Sequence, residues 1–407
     1  MVVHITQKVE RISRYSHENR WKMEYMWRTK EERRGVVLLR ALWYNTYQTN
    51  VQRSDERMNR YEQRRRRVLD QLQFGEMMVL YSGESVACSM DEGFDFEANH
   101  HFFYLTGLRR ENMALVLANT HHPAHVILFI EEPIPDMERW TGRRVTIDEA
   151  RAVSGIDDVR YIDSVDSLIS RCIARETVEA AYFDCYRNAM GDVDSYNMHK
   201  AKRFMQAYPA IVLKDAHPMI AAMRMVKDED EVKTLERAIT ITDQGLRRVL
   251  ATLEPGRMEY QQQAEFEYEI RMQGAERVSF PTIAGSGMNG CMLHYGTNQC
   301  KLEDGKLLLL DLGARVEGYC ADITRTYPIS GKYSPRQKEI YDIVLRANRE
   351  VAKAARPGVT LRELNDLCKK VLAEGLTAIG KIQSADEIGR YYMHGVSHHL
   401  GIDTHDC

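Results

Sequence analysis

The sequence predicts a mixed α/β protein of two folded domains, α/β in its first part and α+β in its second. Three observations carry this. Residues 75–205 alternate short apolar runs with segments of helical period. A helix, a Pro-Gly break and a second helix occur twice after residue 225. Between those two pairs, residues 306–329 read as a β-hairpin that carries two aspartates. At 407 residues the chain is also too long for one ordinary core, and two or three domains are expected.

Residues 1–57 have the weakest pattern. They are read as an N-terminal extension: an extra helix around the short apolar stretch at Val36–Trp43, a flexible arm, or sequence upstream of an alternative start at Met58. Met58–Leu72 reads as a basic amphipathic helix that opens a domain over 58–205. Its Arg64–Arg67 run is read as a solvated helix face rather than a nucleic-acid patch. Met77–Tyr81, Ala114–Leu117 and Ala124–Ile130 have strand length and apolar composition. Thr146–Ala152 and Ser164–Ala174 read as helices. Residues 206–224 are expected to be a linker, and a second domain follows over 225–407.

The second domain opens on Glu229–Leu253, where Val232, Leu235, Ile239, Leu246, Val249 and Leu253 recur at helical spacing. Pro255-Gly256 ends this helix, and Tyr260–Gln273 is the next. Lys338–Ala355, Pro357-Gly358 and Leu361–Leu372 repeat the arrangement. This is a degenerate internal repeat, and it suggests two related halves around a shared sheet.

Composition limits the function classes. Charged residues make up 28% and hydrophobic residues 44%, values ordinary for a soluble globular chain. The net charge of -3 does not point to nucleic acid, although residues 1–67 carry 17 basic against 8 acidic side chains. The eight cysteines are scattered without a C-x-x-C pair. They read as reduced thiols of a cytoplasmic protein, with no zinc ribbon. No apolar run reaches the roughly 18 residues of a membrane span, and no secretory signal opens the chain.

The hairpin KLLLLDLGARVEGYCADITRTYPI carries the chemistry. Leu307–Leu310 reads as an apolar strand, Arg315–Gly318 as a turn and Tyr319–Tyr327 as the returning strand. With the turn centred between Val316 and Glu317, Asp311 and Asp322 are directly opposed. With the centre one residue later they are diagonal neighbours. Either register puts both on one face. Opposed side chains have Cβ atoms about 4.5–5.5 Å apart, where like charges destabilise. A shared proton or a divalent cation relieves this. Pairing of Asp322 with Arg315 or Arg325, or solvent exposure of both aspartates, is the alternative.

Five histidines accompany the hairpin. His294 lies in GCMLHY; His394, His398, His399 and His405 lie in MHGVSHHLGIDTHD. The glycines at 395 and 401 argue for a loop or strand there rather than a helix. Imidazole with two carboxylates is a donor set suited to Mn, Fe, Co or Zn. Further histidines can stabilise charge on a carbonyl oxygen.

DLGARVEGYCADITRTYP at 311–328 and MHGVSHHLGIDTHD at 393–406 resemble the metal-binding motifs of aminopeptidase P. That family belongs to the pita-bread metallopeptidases, together with prolidase, methionine aminopeptidase and creatinase. The resemblance covers about residues 58–407 and includes NHHFFYLTGL at 99–108 and WTGRR at 140–144. It implies a creatinase/aminopeptidase P-like N-terminal domain followed by a pita-bread domain. It implies two divalent metal ions, most commonly Mn2+. Asp311 would ligate one, Asp322 would bridge both and His398 would ligate the second. His294, His394 and His405 would be the active-site histidines. Trp140 would help enclose substrate across a homo-oligomer, a dimer or a tetramer. The implied substrates are peptides with proline at the second position, and the implied reaction is metal-dependent hydrolysis of the N-terminal Xaa-Pro bond.

The family pattern continues past the last histidine motif with two strands, each supplying a glutamate ligand, whereas this sequence stops at Cys407. The expectation is therefore a C-terminally truncated pita-bread domain with three of five ligands, weak metal binding and little hydrolysis. Prolidase is the nearest alternative, and a non-catalytic pita-bread binding protein is the other.

Overall fold

The computed structural model describes residues 58–407 apart from His122, so the readings of residues 1–57 fall outside the described residues. The chain divides into two compact units between Met223 and Arg224.

The first unit contains α1 (Arg60–Leu69), β1 (Glu76–Tyr81), α2 (His100–Thr106), β2 (Ala114–Asn119), β3 (His125–Ile130), α3 (Pro135–Thr141), α4 (Ile147–Ser154), β4 (Asp158–Tyr161), α5 (Val165–Arg175), β5 (Ala180–Phe183), α6 (Tyr196–Ala207), β6 (Val212–Asp215) and α7 (His217–Arg224). The strands form one six-stranded sheet in the order β4-β3-β2-β1-β5-β6. β1, β2 and β3 run antiparallel in sequence, while β4, β5 and β6 join parallel to their neighbours. β1 is buried along its whole length. That is why it reads as an unbroken apolar run rather than an alternating one. One core layer sets Met77, Val79, Val116, Phe129 and Phe183 of the sheet against Leu168, Ile169 and Phe204 of helices α5 and α6. Burying each such side chain contributes about 1.5–3 kcal/mol.

Two expectations change here. The arginines of α1 do not form one solvated face: Arg64 and Arg65 are 2% and 3% exposed. Arg65 donates to the carbonyls of Leu105 and Ser154, at the ends of α2 and α4. Arg64 donates to the carbonyl of Tyr104 and lies over its ring. The guanidinium groups thus satisfy carbonyls that have no partner within their own helices. Burial pulls Arg65 down to about 10. The segment 206–224 is likewise more than a linker, because it carries edge strand β6 and helix α7.

The second unit contains α8 (Glu229–Thr252), α9 (Glu259–Met272), β7 (Arg277–Val278), β8 (Ile283–Ser286), β9 (Leu307–Leu312), β10 (Ala314–Val316), β11 (Tyr319–Cys320), β12 (Ile323–Pro328), α10 (Pro335–Ala354) and α11 (Leu361–Ala378). Asp228, Ser334 and Thr360 cap α8, α10 and α11, each in a capping box with Glu231, Gln337 and Glu363 respectively. The strands form two three-stranded sheets, β12-β9-β8 and β11-β10-β7.

Both predicted helix pairs form, and each closes on a glycine. A Cβ on Gly245 of α8 would lie 2.6 Å from the Phe266 ring of α9, and one on Gly375 of α11 would lie 2.5 Å from Ile343 of α10. The pairs differ in what they cover. α8 and α9 share a core with Leu308, Leu310 and Leu312 of β9. α10 and α11 enclose Tyr392 and Val396 of the histidine-rich segment. No helix among the described residues is long and apolar enough to cross a membrane.

Candidate metal centre

The hairpin adopts the second of the two registers. β9 and β12 pair Asp311 with Thr324, and the distal arm pairs Val316 with Tyr319. The two-residue turn places Glu317 and Gly318 at φ 49° and 85°, the signs of a type I′ hairpin turn. Asp311 and Asp322 are therefore diagonal neighbours on one face. Along β9, Leu308, Leu310 and Leu312 point to the core, and Asp311 shares the less buried face with Leu307 and Leu309. At Gly313 the strands approach so closely that a Cβ would sit 1.8 Å from the Ala321 carbonyl oxygen.

Asp311 accepts a 2.7 Å hydrogen bond from the Thr324 hydroxyl, its cross-strand partner. Asp322 meets His398, Oδ2 to Nε2, at 3.3 Å. Arg325, considered above as a partner for Asp322, donates to the carbonyl of Thr324. The other nitrogen of His398, Nδ1, lies 2.9 Å from the carbonyl oxygen of His399. That contact places a proton on Nδ1 and aims Nε2 at Asp322, where it carries a proton when the ring is charged and is the atom free to ligate a cation when the ring is neutral. The rings of His398 and His405 stand 4.0 Å apart. Potential ligand atoms of Asp322, His398 and His405 all lie within 4.8 Å of one another.

Electrostatics show the strain of this arrangement. Burial, with the negative charge of Asp322 next, pushes the Asp311 carboxyl up to about 7. Burial disfavours charge on His398, but the bond to Asp322, the His399 carbonyl and the charges of both aspartates outweigh it and raise its pKa. The pKa of His405 is lowered, first by burial and then by repulsion from a charged His398, with smaller contributions from His394 and His294, against the opposing negative charge of Asp322. His294 and His394 thus lie within electrostatic reach of the cluster. His394 Nδ1 contacts the Gly395 carbonyl at 2.9 Å. Two carboxylates that resist joint ionisation, beside an imidazole with a fixed tautomer, form a donor set that a divalent cation would relieve.

The histidine segment is held by groups that the sequence pattern did not single out. Arg224 donates to Asp403 at 2.7 Å and to Asp406 at 2.5 Å, and Lys227 reaches Asp406 at 2.7 Å. The Asp406 side chain is 1% exposed. His399 and Asp406 form an isolated antiparallel bridge, and Cys320 of the hairpin donates its N–H to the Gly401 carbonyl. Glu259, buried at the start of α9, does similar work for the loop of His294. It accepts from the Ser286 N–H and hydroxyl, Asn289 Nδ2, the Tyr295 hydroxyl and the Cys300 N–H. Trp140 belongs to the first unit, at the end of α3, and is 88% exposed.

Residues 61–181 match the aminopeptidase P N-terminal domain, and residues 233–407 match metallopeptidase family M24. The Xaa-Pro aminopeptidase of Escherichia coli K12 is 32% identical over 362 residues, spanning 85% of this chain and 80% of that protein. The chain belongs to the Xaa-Pro aminopeptidase family of pita-bread metallopeptidases. The Xaa-Pro aminopeptidase of Haemophilus influenzae is 30% identical over 353 residues, with coverage of 85% and 80%. Among solved structures, the low-pH form of E. coli aminopeptidase P superposes with a TM-score of 0.77 at 31% identity, covering 85% of this chain and 81% of that one. The zinc-substituted E. coli enzyme in complex with product superposes with a TM-score of 0.75 at 31% identity, with the same coverage. The mixed α/β first unit followed by a pita-bread unit agrees with the family's fold.

Proposed function

We propose that this Xaa-Pro aminopeptidase homologue hydrolyses the bond between an N-terminal residue and a following proline. The observation that carries the reading is the convergence of Asp311, Asp322 and His398 from a hairpin and a distant loop onto one small volume. Asp311, Asp322 and His398 would hold a pair of divalent cations, with Mn2+ favoured by the two carboxylate donors. When bound, such ions supply a water of lowered pKa and positive charge against the scissile carbonyl.

The chain's own groups do the rest. Thr324 orients the Asp311 carboxylate, and the His399 carbonyl fixes the ring of His398. His405, whose burial and the positive charge of His398 disfavour its protonation, offers a neutral ring nitrogen to a peptide group. His294, His394 and His405 would donate hydrogen bonds to the carbonyl oxygen as negative charge builds on it. Trp140, exposed in the single chain, would enclose substrate in a homo-oligomer, a dimer or a tetramer. The eight unpaired cysteines support a reducing, cytoplasmic setting.

The test is release of arginine from Arg-Pro-Pro with and without Mn2+. Release that needs the metal and disappears in Asp322→Asn supports the proposal. Equal release from Arg-Ala-Ala, or activity unchanged in Asp322→Asn, overturns it. Cleavage confined to the dipeptide Arg-Pro would overturn it in favour of a prolidase.

A further inference from the structure

We propose a second metal site, for one zinc-type divalent ion, in the first unit at His101, Asp184 and His217. The three side chains come from separate segments, and their potential ligand atoms all lie within 4.8 Å of one another. The topology explains the meeting. β5 and β6 are parallel neighbours. Asp184 follows the last residue of β5, and His217 opens α7 two residues after β6. The carboxyl ends of adjacent parallel strands therefore deliver both side chains to one place, where open α/β sheets commonly bind ligands. His101 enters from α2, whose cap residue Asn99 bonds Asp184 Oδ2 at 2.6 Å.

The local chemistry suits a transition ion better than solvent. His101 is 2% exposed and Asp184 is 7% exposed. His101 Nε2 and His217 Nδ1 are 2.9 Å apart. At a zinc–nitrogen distance of about 2.0–2.1 Å, that separation subtends about 90° at an ion, and an opening of about 0.4 Å gives the tetrahedral angle. Two imidazoles and a carboxylate are a common zinc donor set, with a fourth position left for water. The outer contacts are of the kind that orient ligands. Asn99 and the Tyr186 N–H hold the two oxygens of Asp184, and the Tyr186 ring stacks on His217 at 4.1 Å and 16°. Such an ion would link α2 to the ends of β5 and β6 while keeping one position open to solvent, and it would do so separately from peptide hydrolysis.

The test uses the full chain, stripped of metal, in an Asp322→Asn/His398→Ala background that removes the candidate metal centre of the second unit. Zinc is titrated against a chromophoric chelator, and Co2+ is followed by its visible absorption. One zinc per chain is expected, with a higher thermal midpoint when zinc is added. Adding Asp184→Asn or His217→Ala should weaken binding on the order of 100-fold or more, with far-UV circular dichroism unchanged. No stoichiometric zinc in the starting background overturns the proposal. So does zinc binding that survives both substitutions, since the cluster would then be a hydrogen-bond network alone. The readout is binding rather than turnover, so failure of the peptidase reading leaves this result interpretable.

Discussion

Replacing Arg224 with methionine should open the histidine segment without unfolding the rest of its unit. The guanidinium is buried and serves Asp403 and Asp406 at once. Its burial disfavours the charge, yet the two aspartates more than compensate and hold its pKa above the usual arginine value. Removing one partner of a buried ion pair typically costs about 3–5 kcal/mol, because the remaining charge is stranded. Lys227 still reaches Asp406, so the lower end, about 3 kcal/mol, is expected. If the closed segment is required for His398 to join the aspartates, an opening penalty of that size reduces apparent metal affinity by up to roughly 100-fold. Isothermal titration with Mn2+ measures the affinity, and hydrogen exchange at the Asp406 N–H, which bonds the His399 carbonyl, reports local opening. Arg224→Met/Asp406→Asn should recover part of the loss, because the buried carboxylate at 406 is gone, while Lys227 in turn loses its partner there. Unchanged affinity and exchange in Arg224→Met, or no recovery in the double variant, would refute the claim that this clasp positions His398.

Two carboxylates should show opposite pH linkage. Asp311 has a folded pKa raised to about 7, so the metal-free native state binds a proton more tightly than the unfolded chain, and stability falls as pH rises from about 4 to about 7. Asp311→Asn should therefore stabilise the metal-free protein at pH 7.5, by at most about 4 kcal/mol, with the gain vanishing near pH 4; urea midpoints across that range check it. Glu259 is the reverse. Burial alone would raise it, but the donors of Asn289, Ser286 and Cys300 lower it overall. Its contribution is complete above the unfolded pKa of about 4.3 and is lost as pH falls below. Glu259→Gln should cost on the order of 2–3 kcal/mol at pH 7 and progressively less below pH 4, as followed by thermal unfolding.

Local signals were the legible ones. Helix bounds follow from caps such as Asp228 and Ser334 and from apolar spacing, and the hairpin follows from a leucine run with a Glu-Gly turn. Periodicity put Asp311 and Asp322 on one face but left two registers open, and the backbone of Glu317 and Gly318 decides between them. The burial of Arg64 and Arg65 was not legible, because the carbonyls they satisfy lie 40 and 89 residues away. β6 has an exposed-to-intermediate burial pattern, and an edge strand of that kind carries no apolar alternation to read. Arg224 and Lys227 resemble ordinary surface charges until the fold brings Asp406 to them. His398 and His405 lie close to Asp322, whereas Thr324 beside Asp311 and Glu259 under the loop of His294 carry no distinguishing signal in the sequence.

The two halves of the candidate metal centre close chain loops of very different size. Thr324 reaches Asp311 across 13 residues, whereas Asp406 reaches Arg224 across 182. The entropy of closing a loop rises with its length, so contacts between distant segments tend to form after local ones. On the ribosome, the paired aspartates can be complete while the imidazoles of His398 and His405 are still unsynthesised. A nascent chain would carry an unbalanced patch of negative charge for that interval.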